Sequence, residues 1–109
     1  MENAADPRAV LFSGALTIRN AESIHEKFLE LLSRTGDLVV DASDAEEVDV
    51  SFVQLLLAAR RSAREQGRAL SLAAPAAGPL REVLVRGGFA ASDPAFWGQA
   101  LWGKGGDTP

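Results

Sequence analysis

The sequence contains no cysteine and only one histidine, and these absences exclude several kinds of chemistry. Without cysteine the chain has no disulfide, no thiol nucleophile and no cysteine-ligated zinc or iron–sulfur centre. The single histidine, His25, cannot build a multi-histidine metal site, and it does not form a hydrolase-like set with a serine and an acid. We therefore expect a protein that is not an enzyme, with no catalytic residue, no metal and no cofactor.

Positive charge and long hydrophobic runs are also scarce. The 11 lysines and arginines are outnumbered by 15 aspartates and glutamates, and the net charge of -4 argues against binding to nucleic acid or to an anionic membrane. The longest apolar stretches, near residues 38–40 and 52–59, are far shorter than the ~20 residues that span a bilayer. The opening segment, MENAADPRAV, lacks the features of a secretory signal. We expect a cytoplasmic location and no membrane insertion.

The length and the apolar content suit one globular domain, since 47% of the 109 residues are hydrophobic. We expect a single domain over residues 1–109, with its core from about residue 8 to residue 90. Residues 91–109 are expected to form a short C-terminal helix and a flexible tail. Their apolar side chains, Phe96, Trp97, Leu101 and Trp102, either dock that helix on the core or form a partner surface.

Hydrophobic spacing predicts an α/β fold. Strands are expected at residues 9–12, 15–18, 38–40 and 70–72, and the third is apolar throughout, which is typical of a strand buried on both faces. Helices are expected after Asn20, from Ser51 to Gln66, from Pro79 and from Pro94. The predicted order is β-β-α-β-α-β-α-α, with helices packed against a small mixed β-sheet.

An acidic stretch precedes the second predicted helix. Its acids are Asp41, Asp44, Glu46, Glu47 and Asp49, and Ser51 follows at the start of the helix. In one interpretation Asp49 or Ser51 caps the helix, which contributes about 1 kcal/mol, and the acids lie in a solvated loop. In the other, Ser51 is a regulated hydroxyl, because a helix N-terminus stabilises a phosphoryl group and nearby carboxylates oppose its charge. The spacing alone leaves both open.

Four motifs between Leu11 and Phe89 carry a family resemblance. They are SGALTIRNAESI at residues 13–24, LVVDAS at 38–43, VDVSFVQLLLAARRSAREQGRALSL at 48–72 and PAAGPLREVLVRGGF at 75–89. Their order resembles that of the STAS domain, the fold of bacterial anti-sigma factor antagonists. The resemblance implies a STAS-type fold and a non-enzymatic regulator that binds other proteins in bacterial signal transduction and transcription regulation.

The resemblance also implies a role for the loop before the second helix. In STAS antagonists this switch loop reads Asp, Ser or Thr, Ser or Thr, Gly and Leu, and a partner kinase phosphorylates the third residue. Asp49 and Ser51 match the Asp and the phosphorylated hydroxyl, whereas Val50, Phe52 and Val53 replace the other three residues. Glycine at the fourth position allows close backbone approach. Phe52 is bulky, and it shares a helix face with apolar residues that would place it in the core.

Two classes of partner are compatible with this resemblance. In the first, an anti-sigma factor that is a serine kinase binds the loop from Asp49 to Ser51, and phosphorylation of Ser51 releases it. In the second, the chain is a non-phosphorylated subunit of an ABC transporter ATPase or of a chemotaxis-type signalling complex. Phe52 favours the second class, as does Thr17, which stands where antagonists often carry an acid that contacts the kinase. A homodimer is also left open.

The second predicted helix has a mixed flank. At 100° per residue, Val53, Leu57 and Arg64 fall together, with Arg60 beside them. An apolar stripe edged by arginines is typical of a protein interface, although arginine stems also lie along a wide core face. The predicted phosphorylation site is therefore Ser51, and the predicted partner-binding residues are Asp49, Ser51, Val53, Leu57, Arg60, Arg64 and Thr17.

Overall fold

Short strands and helices follow one another along the chain. The computed structural model describes residues 9–89 and 93–98. The elements are β1 (Ala9–Leu11), β2 (Gly14–Leu16), a 3-10 turn (Ile18–Asn20), α1 (Ala21–Leu32), β3 (Leu38–Asp41), β4 (Ala45–Val48), α2 (Val50–Glu65), β5 (Leu70–Leu72), α3 (Gly78–Arg86) and α4 (Pro94–Trp97). The α/β class and the STAS-type arrangement are confirmed.

The strands form two small sheets. One has the order β1-β3-β5, and the other pairs β2 with β4. Every strand pair within the described ranges is parallel, whereas a mixed sheet was expected. Parallel neighbours need a crossover connection, and the segments that contain α1 and α2 provide it on the way from β1 to β3 and from β3 to β5.

β4 lies where the sequence predicted only a solvated acidic loop. Ala45 and Val48 are buried, and the two residues between them, Glu46 and Glu47, are exposed. This pattern does not alternate as a half-buried strand usually does, and the register with β2 shifts between Gly14 and Ala15. The strand therefore depends on pairing with β2, which the local sequence does not reveal.

An aromatic cluster lies at the centre of the core. The rings of Phe12 and Phe28 are stacked with centroids 4.6 Å apart, and Phe52 lies 5.7 Å from the first and 5.9 Å from the second. β3 is buried on both faces, as predicted. Each fully buried side chain of this size contributes about 1.5–3 kcal/mol through removal of apolar surface from water. The packing joins α1 and α2 to the sheet.

Most helix ends agree with the sequence prediction to within one residue. Asn20 occupies the position before α1, although its side-chain amide donates to the carbonyl of Ala15 at 2.7 Å and does not cap the helix. α2 begins at Val50 and ends at Glu65. Gly67 follows it with a φ of 74°, a left-handed conformation that glycine adopts without strain.

The short helix α4 docks on the core through Phe96 and Trp97, both of which are buried. The indole N–H of Trp97 donates to the carbonyl of Phe89 at 3.2 Å. Arg60 of α2 also helps to hold α4 in place. Its guanidinium pairs with Asp93 and lies 4.2 Å from the centre of the Phe96 ring. The docking prediction is confirmed for these two aromatic residues, while Leu101, Trp102 and the expected tail lie outside the described residues.

Candidate functional site

Asp49 ties the start of α2 to a distant part of the chain. Its Oδ1 accepts hydrogen bonds from the N–H of Ser51 at 2.9 Å and from the Ser51 hydroxyl at 2.5 Å. Its Oδ2 accepts from the N–H of Ile18 at 2.9 Å. Its own N–H donates to the carbonyl of Leu16 at 3.2 Å. Of the two caps that the sequence suggested, Asp49 is the one observed.

These contacts also determine the ionisation of Asp49. Partial burial by itself would raise the pKa of this carboxyl, because it disfavours the charged form. The Ser51 hydroxyl and the backbone N–H groups of Ile18, Ser51 and Phe52 act in the opposite direction, and together they lower the pKa below its usual value. Asp49 is therefore a charged acceptor at neutral pH.

Ser51 lies in the first turn of α2 and is half-buried. It lines an open concavity of about 390 Å³, which we call the Ser51 concavity. The other lining residues come from the 3-10 turn, α1 and α2, and they are Ile18, Ala21, Glu22, His25, Gln54 and Leu55. Ile18 is 67% exposed, which is unusual for a large apolar side chain. A hydroxyl thus lies beside an exposed apolar surface.

Sequence reasoning missed Ile18 and Leu55 as surface residues of this site. Ile18 was assigned to the second strand, but the strand ends at Leu16 and the chain turns before α1. Asn20 could have revealed this turn. An asparagine is typical of the position just before a helix, so the chain must leave the strand before it reaches Asn20. Val50, at the first position of α2, adds another exposed apolar side chain next to Ser51.

Two of the predicted partner-binding residues belong to the core. Val53 is 0% exposed and Thr17 is 8% exposed, so neither presents its side chain to a partner on the folded chain. Val53 is buried because α2 packs against α1 on one side and against β5 on the other, which covers more than a single helix face. Phe52 is also fully buried and points into the core, away from the surface beside Ser51.

The remaining predicted residues divide between two surfaces. Leu57, Arg60 and Arg64 line a second concavity, of about 420 Å³, together with Arg61 and Glu65. Arg64 follows Ser51 by 13 residues along α2. At about 100° per residue, the two lie about 140° apart around the helix axis. The structure therefore separates Asp49 and Ser51 from the arginines, whereas the sequence prediction had grouped them at one interface.

The described part of the chain offers few sites for other chemistry. Within residues 9–89 and 93–98, no group of three or more histidine, cysteine or acidic side chains is arranged to hold a metal ion. No helix in the same ranges has the length and apolar character needed to cross a bilayer.

Comparison with known proteins decides the family. The family model described as "Mlab, STAS domain" matches residues 2–91, a range that includes β1–β5, α1–α3 and the Ser51 concavity. The chain belongs to the STAS family. No curated protein and no solved structure matches it. As a STAS domain it has a regulatory role of the general kind found in this family, whose members commonly interact with other proteins and are generally non-enzymatic.

Proposed function

We propose that this STAS domain is a cytoplasmic partner-switching regulator of the anti-sigma factor antagonist type. It binds an anti-sigma factor that is a serine kinase through the Ser51 concavity, and phosphorylation of Ser51 releases this partner. One observation carries the proposal: the Ser51 hydroxyl lies in the first turn of α2 and lines the same concavity as the exposed apolar side chain of Ile18. This arrangement combines a modifiable group with an apolar contact surface.

The replacement of the family glycine by Phe52 does not obstruct a kinase. The Phe52 ring packs against Phe12 and Phe28 in the core, so it adds no bulk to the surface beside Ser51. The Ser51 hydroxyl donates to Asp49, a carboxylate that can orient it for transfer. In the transfer, the γ-phosphorus of ATP forms a bond to the Ser51 oxygen as its bond to the β-phosphate oxygen breaks, so ADP leaves and the hydroxyl proton passes to a base of the kinase.

Phosphorylation has a direct electrostatic consequence at this position. The phosphoryl group brings a charge of about −1.5 to −2 next to the Asp49 carboxylate and removes the hydrogen that Ser51 donates to it. The N–H groups at the start of α2 then favour the phosphate over the carboxylate. Because Asp49 also holds the N–H of Ile18, we expect the apolar wall of the concavity to move. A partner fitted to the unmodified surface would lose both shape and charge complementarity.

The chain offers a matched control for a phosphorylation experiment. Ser43 repeats the local geometry of Ser51, since its N–H and its hydroxyl donate to Asp41 Oδ1 at 2.9 Å and 2.6 Å, but it does not begin a helix. The chain is incubated with ATP and its cognate serine kinase, and the phosphate is located by mass spectrometry. We expect phosphate on Ser51 in the wild type and in Ser43→Ala, and none in Ser51→Ala. An unmodified wild type would contradict the switch.

A second function is favoured by the burial of Thr17. Residue 17 is an uncharged threonine with a buried side chain, so this position offers no charged contact where antagonists often carry an acid for their kinase. In this alternative the chain is a non-phosphorylated subunit of an ABC transporter ATPase or of a chemotaxis-type signalling complex. The exposed Ile18 and Val50 would then form a permanent interface.

The two functions differ in their response to charge at residue 51. Wild type, Ser51→Asp and the matched Ser43→Asp are each co-purified with the neighbouring kinase or ATPase. A switch predicts that Ser51→Asp alone loses its partner, because it places a second carboxylate beside Asp49. A permanent subunit predicts that all three retain the ATPase, which would favour the alternative.

A further inference from the structure

The C-terminal half of α2, beyond the Ser51 concavity, carries two arginines that have no counter-ion among the described residues. Arg61 and Arg64 are exposed, and neither side chain makes an ion pair or a hydrogen bond with any residue in the described ranges. Arg60, one residue before Arg61, differs because Asp93 neutralises it. Arg68 also differs, since its guanidinium donates to the carbonyls of Leu32 and Arg34. Two positive charges on this flank therefore have no ion-pair partner within the described residues, although Glu65 lies in the same concavity.

The position of these two charges is unfavourable in the isolated chain. Arg61 and Arg64 are three residues apart on one helix, and like charges at this spacing repel each other. The chain as a whole carries 15 acidic and 11 basic residues, yet no acid pairs with either arginine in the part that the structure describes. A bound anionic group would remove this repulsion.

The same flank also has an apolar component. Leu57 is half-buried, and it lines the concavity of about 420 Å³ with Arg60, Arg61, Arg64 and Glu65. An apolar side chain entering this concavity would contact Leu57, and the arginines would surround it. An apolar centre with a charged rim is the usual composition of a protein interface.

We propose that this surface, which we call the arginine flank, binds an acidic segment of a partner protein. Carboxylates of that segment pair with Arg61 and Arg64, whose planar guanidinium groups match a carboxylate in two parallel hydrogen bonds. An apolar side chain between those carboxylates packs on Leu57. This surface is distinct from the Ser51 concavity, because the two share no lining residue and lie at different ends of α2, so both can be occupied together.

A protein segment fits this surface better than a nucleic acid or a lipid headgroup does. The net charge of -4 repels a long polyanion more strongly than it repels a segment that carries only a few carboxylates. Two uncompensated arginines would neutralise few phosphates, and nucleic-acid affinity depends on the number neutralised. Neither a nucleic-acid backbone nor a headgroup supplies the apolar side chain that Leu57 would accommodate.

The test uses a fluorescent peptide in which leucines are flanked by glutamates, with binding measured by fluorescence anisotropy at low and at physiological salt. The double variant Arg61→Gln/Arg64→Gln is compared with Arg19→Gln/Arg86→Gln, which removes the same charge from exposed arginines elsewhere. We expect Kd to rise at least about tenfold in the first and less than about twofold in the second. Equal weakening in both, or no binding by the wild type, would overturn the proposal.

Three further measurements make the result specific. Leu57→Ser should weaken peptide binding several-fold, whereas an unchanged Kd would refute the apolar contact. A single-stranded oligonucleotide and vesicles containing phosphatidylglycerol should bind more weakly than the peptide, and tighter binding of either would overturn the assignment to protein. Ser51→Asp should leave the peptide Kd unchanged. The proposal for the arginine flank can therefore be tested separately from the proposal for the Ser51 switch.

Discussion

The N–H of Ile18 donates a hydrogen bond to Asp49 Oδ2 at 2.9 Å, across 31 residues of sequence. The other oxygen of the same carboxylate accepts from the N–H and the hydroxyl of Ser51. A single side chain therefore connects the turn after β2 with the start of α2, and both segments line the Ser51 concavity. We therefore expect this one group to contribute both to the stability of the fold and to the shape of the candidate site.

Replacement of Asp49 by alanine should lower the free energy of unfolding by about 2 kcal/mol, because it removes a helix cap and a charged acceptor of the Ile18 N–H. Urea denaturation of the purified variants measures this loss. Asp41→Ala is the matched control, since Asp41 holds Ser43 in the same local geometry but caps no helix. We expect the control to lose less than about 0.5 kcal/mol, and equal losses would contradict the capping role.

The contribution of Asp49 should disappear in acid. Its pKa is lower in the folded chain than in the unfolded chain, so the unfolded chain takes up the proton first as the pH falls. The stabilisation is complete above the unfolded value, about 4, and is lost as the pH falls through the lower folded value. The difference in unfolding free energy between wild type and Asp49→Asn should therefore be constant near neutral pH and should shrink below about pH 4.

Urea denaturation at a series of pH values measures this difference. Asp44→Asn, at an exposed acid of the same stretch, corrects for the general effect of removing one negative charge. A difference that persists unchanged down to about pH 3 would mean that the charged form of Asp49 does not provide the stabilisation.

Ile18 should contribute to binding and not to stability. Because its side chain is largely exposed, Ile18→Ser should change the free energy of unfolding by less than about 0.5 kcal/mol. The same variant should weaken the complex with the kinase or ATPase partner about tenfold, as measured by calorimetry. Val85→Ser replaces an exposed apolar residue on α3 and should leave Kd unchanged. Equal effects of the two variants would exclude the Ser51 concavity as the interface.

Phe52 should behave as a core residue despite its place in the switch loop. Phe52→Ala removes a ring packed against Phe12 and Phe28, and we expect it to cost about 3–5 kcal/mol of unfolding free energy. The nearby Val50→Ala, at an exposed position, should cost less than about 1 kcal/mol. A small loss in Phe52→Ala would show that the ring is not part of the core in solution.

The elements that the sequence predicted well are those with a strong local pattern. β3 is mostly apolar, and α1 repeats apolar residues at helical spacing. The secondary structure of each can therefore be predicted from its own residues. β4 was missed for the opposite reason. Glu46 and Glu47 face solvent, and the strand exists because it pairs with β2, which lies about 30 residues earlier in the chain.

The sequence predicted only part of the candidate site, as it predicted only part of the fold. Asp49 as a cap follows from local chemistry, because a short carboxylate before a helix accepts from its first free N–H groups. The burial of Val53 could not be predicted in the same way. A helical wheel places it on a flank, but how far the core extends around α2 depends on what packs on each side.

Residues close together in the chain encode the α/β class, the family resemblance and the position of a hydroxyl at the start of α2, so these features can be predicted without a structure. Other features exist only in the folded molecule: Ile18 joins Asp49, Val53 and Thr17 are buried, and the Ser51 concavity and the arginine flank share no lining residue. These features result from contacts between residues distant in sequence, and such contacts depend on how the helices and sheets pack together.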